Sequence, residues 1–341
     1  MAGTLRIAVA LPHFGVYGGV RRFLELGRTW VARGHEVALL TPAARADERP
    51  WLDFAGRVGP LEELRSGRWD VLLSPDPALF LQAEAAGALR VFYAVLEGAP
   101  GAPDAWRSAD LVLANSAGML RHLARRGVRA ADAAGGVNLD LFRPHDPDPR
   151  ADRSRAGAPV KALVYGRLSR PRKGSWTAAR AIEAAARSTG VPIELTLFDA
   201  PPDGAPDPAL PRALSIPFRW VLRPTQEELR ALYADADLFV SAERRAGWCN
   251  TAAEAMACGA AVVCTRSGTE DFAADGETAS VSRWPWAFAL ARKIAPLLRD
   301  PASRIALGQR GRERIASFSW ERTADRIEQA VTERLGRRSD G

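Results

Sequence analysis

The sequence predicts an α/β protein made of two doubly wound domains, each built on a parallel sheet. Its 341 residues exceed the length at which a single hydrophobic core usually stops growing. Apolar runs of strand length alternate with segments of helical periodicity, and this alternation pauses once and then restarts. Hydrophobic residues make up 47% and charged residues 26% of the chain, which is typical of a globular protein and not of a disordered one.

The N-terminal domain, residues 1–143, is predicted to open with the strand LRIAVALP, because a continuous apolar run suits a strand buried on both faces. A glycine-rich turn, GVYGGV, follows, and apolar side chains then recur at helical spacing until Gly34. EVALLTP is the next strand. This β-loop-α-β order implies a parallel sheet with a right-handed crossover. The further strands of this domain are DVLLSPD, RVFYAVLE and DLVLANSA.

Residues 144–159 are rich in Pro, Asp and Arg and lack periodicity, which predicts an interdomain linker. The C-terminal domain, residues 160–318, restarts the pattern with the strands KALVYGRL and IELTLFD on either side of the helix SWTAARAIEAAARS. FRWVLR precedes the helix TQEELRALYADA, where Thr225 and Glu228 have capping-box spacing. The strands DLFVSAE and AAVVCTR flank the short helix NTAAEAMACG.

Two helices close the chain. Asp300 and Pro301 are predicted as the cap and first turn of the first one. The second covers about residues 319–335.

Charge and cysteine content narrow the function only a little. The net charge of +7 permits anionic ligands, nucleic acid or an acidic membrane and selects none of them. The arginines of residues 116–130 lack interleaved aromatic residues, which argues against nucleic acid as their partner. The three cysteines form no CxxC, so a structural zinc site is not expected. We expect them to be buried thiols of a protein in a reducing compartment. No apolar run reaches the length of a membrane span and the N-terminus has no cleavage-site pattern, so we expect a cytoplasmic protein.

The first candidate binding feature is the glycine turn with Gly15, Gly18 and Gly19 between a strand and a helix. Glycine there lets the backbone approach a ligand, and the helix N-terminus favours phosphate. A plain tight turn is an equally good interpretation. The pattern is not GxGxxG, and the second strand ends in LLTP without the acidic residue that would hold a ribose. A nicotinamide-cofactor enzyme is therefore disfavoured.

The second feature is the basic loop YGRLSRPRKG, with Arg167 and Lys173 just past a strand. Arginine offers a planar fork and lysine a point charge, a suitable pair for two phosphates. For such a loop in isolation, a solvated basic surface is the simpler interpretation.

The third feature is the segment AGWCNTAAEAMACGAAVV, residues 246–263, which carries a single carboxylate, Glu254. Thr251 and Glu254 have the spacing of a capping box. Alternatively, Glu254 accepts hydrogen bonds from two neighbouring sugar hydroxyls, while the backbone N–H groups of Asn250 and Thr251 hold a phosphate. In that case one segment binds both a ribose and its diphosphate.

These three features occur in the order typical of a known family. The chain resembles the retaining GT-B glycosyltransferases of family 4 (glycosyltransferase group 1), which move a sugar from a nucleotide-sugar to an acceptor. The resemblance covers nearly the whole chain. It rests on the segments YGGVRRFLELGRTWVARGHEVALLTP, GVNLDLFRP, YGRLSRPRKG, LRALYADADLFVSAE, AEAMACGAAVVCT and FSWERTADRIEQAV.

The resemblance implies a GT-B architecture, two tandem Rossmann-like doubly wound parallel-sheet domains facing a cleft. The N-terminal domain would take the acceptor and the C-terminal domain the nucleotide-sugar, and the last helix would cross back onto the N-terminal domain. It also implies transfer with retention of configuration and without a metal or other cofactor, the nucleotide-sugar being a co-substrate. The acceptor would be a carbohydrate, a lipid-linked molecule or a small molecule.

The resemblance also implies roles for individual residues. Arg167 and Lys173 would hold the diphosphate and stabilise it as the leaving group. Glu254 would bind the nucleotide ribose, and the segment around Arg223 would flank the base. Gly18 and Gly19 would border the donor's phosphates or the acceptor. The expected donor-binding set consists of Gly18, Gly19, Arg223, Glu243, Cys249, Asn250, Thr251 and Glu254.

The chain departs from the family pattern at two sugar contacts. The family has two glutamates eight positions apart, and the position of the first is Ala246 here. Glu243 lies three residues earlier and could replace it. A histidine that the family often places near the sugar is also missing, and Glu97 lies in that segment. The donor sugar could be unusual, for example a deoxysugar, or Glu97 and Glu243 could substitute. A degenerate, non-catalytic nucleotide-sugar binder or partner subunit is the alternative.

Two further patterns have a functional and a simpler interpretation. Asp235 and Asp237 form a D-x-D that could suggest a metal-dependent transferase, but a helix end and turn are favoured. Residues 116–130 combine apolar residues with basic ones, and such a helix can lie on the inner face of an anionic membrane. A surface helix with a charged outer side is the favoured interpretation.

Overall fold

The computed structural model describes residues 3–16, 18–45, 47–96, 99, 101–155, 157–201 and 205–339. The chain divides into two compact units. Unit 1 comprises Met1–Gly136 and Trp320–Gly341, and unit 2 comprises Val137–Ser319. The C-terminal helix therefore belongs to the same unit as the N-terminal part of the chain.

Each unit contains one sheet in which every strand pairing is parallel. The strand order is β3-β2-β1-β4-β5-β6-β7 in unit 1 and β10-β9-β8-β11-β12-β13 in unit 2. The strands are β1 (Arg6–Ala10), β2 (Glu36–Thr41), β3 (Arg57–Pro60), β4 (Val71–Ser74), β5 (Leu89–Ala94), β6 (Leu111–Ala114), β7 (Ala131–Asp132), β8 (Val160–Tyr165), β9 (Ile193–Asp199), β10 (Phe218–Leu222), β11 (Leu238–Ser241), β12 (Ala261–Thr265) and β13 (Ser280–Ser282).

Helices form many of the crossover connections that parallel pairing requires. They are α1 (Gly18–Ala32), α2 (Glu63–Ser66), α3 (Pro77–Gln82), α4 (Ala102–Ser108), α5 (Ala117–Ala124), α6 (Arg150–Arg155), α7 (Ser175–Thr189), α8 (Gln226–Asp235), α9 (Asn250–Ala257), α10 (Ala287–Arg299), α11 (Pro301–Ile315) and α12 (Trp320–Ser339). Short 3₁₀ turns cover Ala43–Arg45 and Pro171–Lys173.

The core of unit 1 shows why its central strands read as continuous apolar runs. In β1, Ile7 and Val9 pack into one buried cluster, and Ala8 and Ala10 pack into another. Because successive side chains of a strand point to opposite faces, both faces of this strand are buried. The first cluster also contains residues of α1 and α12, namely Phe23, Leu24, Trp30, Trp320, Ala324, Ile327 and Val331.

The core of unit 2 is formed where α7 and α10 pack with the sheet. Ala178, Ile182 and Leu290 are buried there with strand residues such as Val164 and Leu197. Helices α9 and α11 also contact β12. The result is a sheet whose carboxyl edge carries the loops that follow β8, β9, β11 and β12.

Two helix starts were predicted correctly from local spacing. Thr225 accepts a hydrogen bond from the Glu228 N–H, and Glu228 accepts one from the Thr225 N–H, so the capping box is formed. Asp300 caps α11 by accepting from the Ser303 N–H, and Pro301 is in the first turn.

The segment 144–159 differs from the predicted linker, because it lies within unit 2 and contains α6. Arg150 is buried, and its guanidinium donates to the carbonyls of Ala234, Ala236 and Cys258 at distances of 2.8 Å. These carbonyls end α8 and α9. The segment therefore attaches to unit 2 through hydrogen bonds to helix C-termini, which need no apolar periodicity.

The segment 116–130, for which a surface helix was favoured over a membrane-facing one, contains α5. Helix α5 buries Met119 and Leu123 in the core of unit 1, and Leu120 packs partly against the same cluster. The exposed side of this segment carries Arg121, Arg125 and other polar residues. Its apolar side chains therefore pack against the protein, which agrees with the surface-helix interpretation. No helix in the described ranges is long and apolar enough to cross a membrane.

Candidate functional site

The candidate site lies in unit 2, at the carboxyl edge of its sheet, where open α/β sheets bind ligands. The basic loop after β8 is pressed against the end of β11 at Gly174. This glycine has a φ of 65°, and a Cβ added to it would lie 2.1 Å from the carbonyl oxygen of Ala242. Only glycine fits such a close approach in a left-handed conformation. Gly174 thus holds Lys173 beside the residues that follow β11.

Lys173 and Glu243 form an ion pair at this position. The Lys173 Nζ lies 2.6 Å from Oε1 of Glu243, and Nη1 of Arg172 lies 3.5 Å from the same oxygen. Glu243 is only 2% exposed, and its backbone carbonyl accepts a hydrogen bond from the Thr265 hydroxyl. The sequence singled out both Lys173 and Glu243, but their pairing joins residues 70 positions apart.

The Glu243 carboxylate also reaches the N-terminus of α9 through Cys249. Cys249 is the N-cap residue of that helix, and its Sγ donates to Oε2 of Glu243 at 3.6 Å. Burial, and next the charge of Glu243, raise the pKa of the Cys249 thiol to about 11. The thiol is therefore protonated at neutral pH and can act as this hydrogen-bond donor. The basic loop, Glu243 and the start of α9 form one connected cluster.

The start of α9 excludes the capping-box interpretation of Thr251 and Glu254. Because α9 begins at Asn250, Thr251 is its second residue and Glu254 lies in the second turn. Asn250 and Thr251 are half-buried in the first turn, where backbone N–H groups have no partner within the helix.

Glu254 is a buried carboxylate. It is 4% exposed, and its Oε2 accepts a hydrogen bond from the Tyr233 hydroxyl at 3.1 Å. Tyr233 is fully buried in α8. A buried carboxylate held by a hydroxyl donor has the acceptor character needed to bind sugar hydroxyls. Tyr233 was not identified from the sequence, because in LYADA it reads as an ordinary apolar position of the helix.

Arg167 is also buried, but it is bound by unit 2 itself. Its Nε lies 2.6 Å from Oδ1 of Asp199, and its Nη2 donates to the Ala200 carbonyl. Both partners lie at the carboxyl end of β9. Asp199, the acidic last residue of the strand IELTLFD, was the sequence signal that could have indicated this pair. Arg167 therefore stands at the predicted edge with part of its charge balanced by Asp199.

Arg223 follows β10 on the same edge of the sheet. Its backbone N–H donates to the Asp199 carbonyl at 2.7 Å. Its φ of 49° is left-handed, an uncommon conformation for a residue with a side chain. The side chain is 43% exposed. It thus lies at the carboxyl edge of the sheet, on the side of β9 that faces away from β8.

Ala246, at the position of the missing family glutamate, is fixed in the loop that precedes α9. Its N–H donates to the Ser267 hydroxyl at 2.8 Å. Gly268 packs closely on it, since a Cβ at Gly268 would lie 2.7 Å from the Cβ of Ala246. The carboxylate present in this region is that of Glu243.

The D-x-D lies at the opposite, amino end of β11. Asp237 is 3% exposed and accepts hydrogen bonds from the Lys161 N–H and from Nη2 of Arg153. Asp235 pairs with Nζ of Lys161 at 2.7 Å and with Nη1 of Arg153 at 2.9 Å. Both carboxylates are neutralised structural groups far along the strand from the candidate site, which agrees with the helix-end interpretation.

Unit 1 contains the remaining predicted residues. Gly18 and Gly19 are exposed at the start of α1, and a Cβ at Gly19 would meet no atom within 4 Å. Packing therefore does not require glycine at position 19. Glu97 lies outside the described residues. The next turn of α1 buries Arg22, whose Nη1 donates to the Tyr93 hydroxyl at 2.6 Å.

Comparison with known proteins identifies the relatives of this chain. Residues 159–300 match the family model of the glycosyl transferases group 1. Over 251 residues the chain is 28% identical to the D-inositol 3-phosphate glycosyltransferase of Corynebacterium efficiens, which covers 69% of this chain and 59% of the relative. The chain thus spans less than two thirds of that relative's length.

Solved structures show the same fold over nearly the whole chain. Sucrose-phosphate synthase (tll1590) from Thermosynechococcus elongatus has a TM-score of 0.75 at 20% identity, covering 97% of this chain and 99% of that one. Anabaena Alr3699/HepE in complex with UDP has a TM-score of 0.74 at 15% identity, covering 96% and 100%. The same protein has been solved with UDP-glucose. The GT-B fold and the resemblance to group 1 glycosyltransferases are confirmed.

Proposed function

We propose that this protein is a glycosyltransferase that moves a sugar from a nucleotide-sugar to an acceptor. Support comes from the match of residues 159–300 to group 1 glycosyl transferases and from the glycosyltransferase relative. The nucleotide-sugar donor is inferred from the fold neighbour that binds UDP and UDP-glucose.

The observation that carries this proposal is the cluster of Lys173, Glu243 and the N-terminus of α9. The Lys173–Glu243 distance of 2.6 Å and the Glu243–Cys249 distance of 3.6 Å place a cation beside the N-terminus of α9. A diphosphate could be bound by both at once. Glu254, one turn further along α9, would then receive the ribose hydroxyls.

The chemistry follows from the charge of the leaving group. Breaking the bond between the sugar and the diphosphate places negative charge on the diphosphate and positive character on the sugar. Lys173 and the N–H groups of α9 are fixed before the reaction and stabilise that charge as it develops. Arg167 adds a buried positive charge at the same edge, held in place by Asp199. Because protein cations can fill this role, we propose that no metal is needed, and retention of configuration is inferred from the resemblance.

The acceptor is a carbohydrate, a lipid-linked molecule or a small molecule, with no role for nucleic acid. The three cysteines are unpaired and buried, which agrees with a reducing compartment such as the cytoplasm. Gly18, Gly19 and Arg223 keep the roles that the resemblance implies.

The test uses a panel of UDP-, GDP-, ADP- and dTDP-sugars. The melting temperature and the rate of donor hydrolysis are measured with each of them, in wild type and in two variants. Lys173→Met should lower donor turnover by about 100-fold, because one preorganised charge at a leaving group contributes on that order. Lys161→Met is the matched control, since Lys161 forms an ion pair of similar length, 2.7 Å, at the other end of β8. It should leave turnover within about twofold.

Lys173→Met also leaves Glu243 buried without its partner, which can lower stability. The double variant Lys173→Met/Glu243→Gln removes that unpaired charge and should still lack turnover. Equal turnover in the Lys173 and Lys161 variants would refute the assigned role of Lys173. Melting shifts only with dinucleotide cofactors would refute the transferase proposal itself.

A non-catalytic nucleotide-sugar binder is the second candidate function. It is favoured by Ala246 at the position of the family's first glutamate and by the engagement of Glu243 with Lys173. Melting shifts with nucleotide-sugars but no hydrolysis or transfer, with all candidate acceptors present, would establish it.

A further inference from the structure

Three exposed aromatic side chains form a continuous surface on unit 2, here called the aromatic patch: Trp284, Trp286 and Phe288. Their exposed fractions are 47%, 47% and 61%. The two indole rings are stacked, with centroids 5.1 Å apart and an interplanar angle of 8°, and Phe288 lies 5.4 Å from Trp286. Side chains of this size are usually buried, so a contiguous exposed group indicates an interaction surface.

The aromatic patch is held at a defined place in the fold. Trp284 follows β13, and the Ser282 hydroxyl donates to the Trp284 carbonyl at 2.8 Å. Phe288 is in the first turn of α10. Because β13 runs parallel to β12, the patch lies at the carboxyl edge of the sheet, the edge that also carries Lys173 and Glu243.

The charge around the patch identifies the kind of partner. Residues 279–299 contain four basic residues and no Asp or Glu. Arg283 lies over the Trp284 ring at 5.2 Å, and Arg292 is exposed one helical turn after Phe288. The segment also contains no Asn or Gln, so it offers few of the polar groups that bind sugar hydroxyls. Exposed tryptophans next to arginines are instead typical of the interface of an anionic bilayer.

We propose that the aromatic patch, with Arg283 and Arg292, docks unit 2 onto the surface of an anionic lipid bilayer. Aromatic rings insert at the headgroup level, where their apolar bodies leave water, and the arginines pair with lipid phosphates. Docking at this edge brings the candidate donor residues close to the membrane surface. The inference does not depend on sugar transfer, because it concerns binding alone.

The test is flotation of the full chain with phosphatidylcholine vesicles that contain or lack phosphatidylglycerol. Wild type should float with the anionic vesicles. Its binding to neutral vesicles should be weaker by about tenfold or more, because each basic residue near an anionic surface raises the affinity several-fold. The variant Trp284→Ser/Trp286→Ser/Phe288→Ser should bind about tenfold more weakly, as should Arg283→Ser/Arg292→Ser.

The matched control is Leu81→Ser/Phe218→Ser, since these side chains are exposed to a similar extent, 43% and 40%, outside the patch. It should bind like wild type, and all variants should melt within a few degrees of it. Vesicle binding that survives the aromatic substitutions would overturn the proposal. So would a wild type that does not float but forms dimers that the aromatic substitutions abolish, since the patch would then be a subunit interface. Donor hydrolysis by the aromatic variant should equal that of wild type in either case.

Discussion

At the scale of single residues, the charged side chains of the candidate site are already bound by other side chains of the protein. Lys173 faces Glu243, Arg167 faces Asp199, and Glu254 accepts from Tyr233. Each cation is therefore held in one position before a ligand arrives. The carboxylate that holds it also neutralises part of its charge. Preorganisation of this kind is what electrostatic stabilisation of a leaving group requires.

Glu254 provides a sharp test at this scale. Glu254→Gln should weaken binding of UDP or the active nucleotide by about tenfold or more, because hydrogen bonds to a charged group contribute about 1.5–3 kcal/mol. The control is Glu183→Gln in α7, a carboxylate of equal burial, 4%, that accepts hydrogen bonds from Ser215. It should lower the melting temperature and leave the dissociation constant unchanged. Calorimetric titration measures the dissociation constant, and thermal unfolding measures the melting temperature. If the two variants bind alike, Glu254 is a structural residue only.

At the scale of secondary-structure elements, helix ends position the site and hold unit 2 together. The N-terminus of α9 faces Glu243, while its C-terminal carbonyl at Cys258 is bound by Arg150. The same guanidinium binds the last carbonyls of α8. One arginine thus fixes the two helices that carry Tyr233 and Glu254.

Arg150→Met should lower the free energy of unfolding by about 3 kcal/mol or more, because several buried carbonyls lose their donor at once. Hydrogen exchange should accelerate in α8 and α9. Arg310→Met is the control, because Arg310 also donates to a backbone carbonyl, that of Glu277, but is exposed. Its effect should stay within about 0.5 kcal/mol. Similar losses in both variants would show that Arg150 has no special role at the helix ends.

At the scale of the whole molecule, each unit has its own buried hydrophobic residues, and a large cluster of unit 1 is built from both chain ends. Ile327 of α12 packs with β1 and β4 in unit 1, and Ile294 of α10 packs with α7 in unit 2. Both isoleucines are almost fully buried. Equivalent substitutions at these two positions therefore remove buried side chains from different units.

Ile327→Ala should cost about 2–5 kcal/mol and raise hydrogen exchange in β1, β4 and α12, because a buried cavity replaces the side chain. Ile294→Ala should cost a similar amount and act on α7, α10 and the sheet of unit 2. Exchange measured by mass spectrometry distinguishes these patterns. An Ile327 variant that loosens unit 2 to the same extent as unit 1 would contradict the assignment of α12 to unit 1.

Local patterns in the sequence were sufficient to predict the central strands, helices α7, α8, α9, α11 and α12, and two helix caps. Apolar runs and cap spacings each involve only a few consecutive residues. A strand buried on both faces is recognised because nearly all its residues are apolar. The short strands β3, β7 and β13 and the helices α2, α3, α4, α6 and α10 were not identified. The candidate cations and Glu254 could be identified from the sequence because the segments that carry them follow predicted strands.

The tertiary structure alone decided which of these residues meet. The linker prediction for 144–159 was wrong because Arg150 attaches to carbonyls more than 80 positions away. At 116–130, α5 packs its apolar face in unit 1, which the sequence alone did not decide, and three exposed aromatic side chains lie together at 284–288. Pairings such as Lys173–Glu243 and Glu254–Tyr233 join distant segments, and no local pattern encodes a contact that exists only once the sheet has formed.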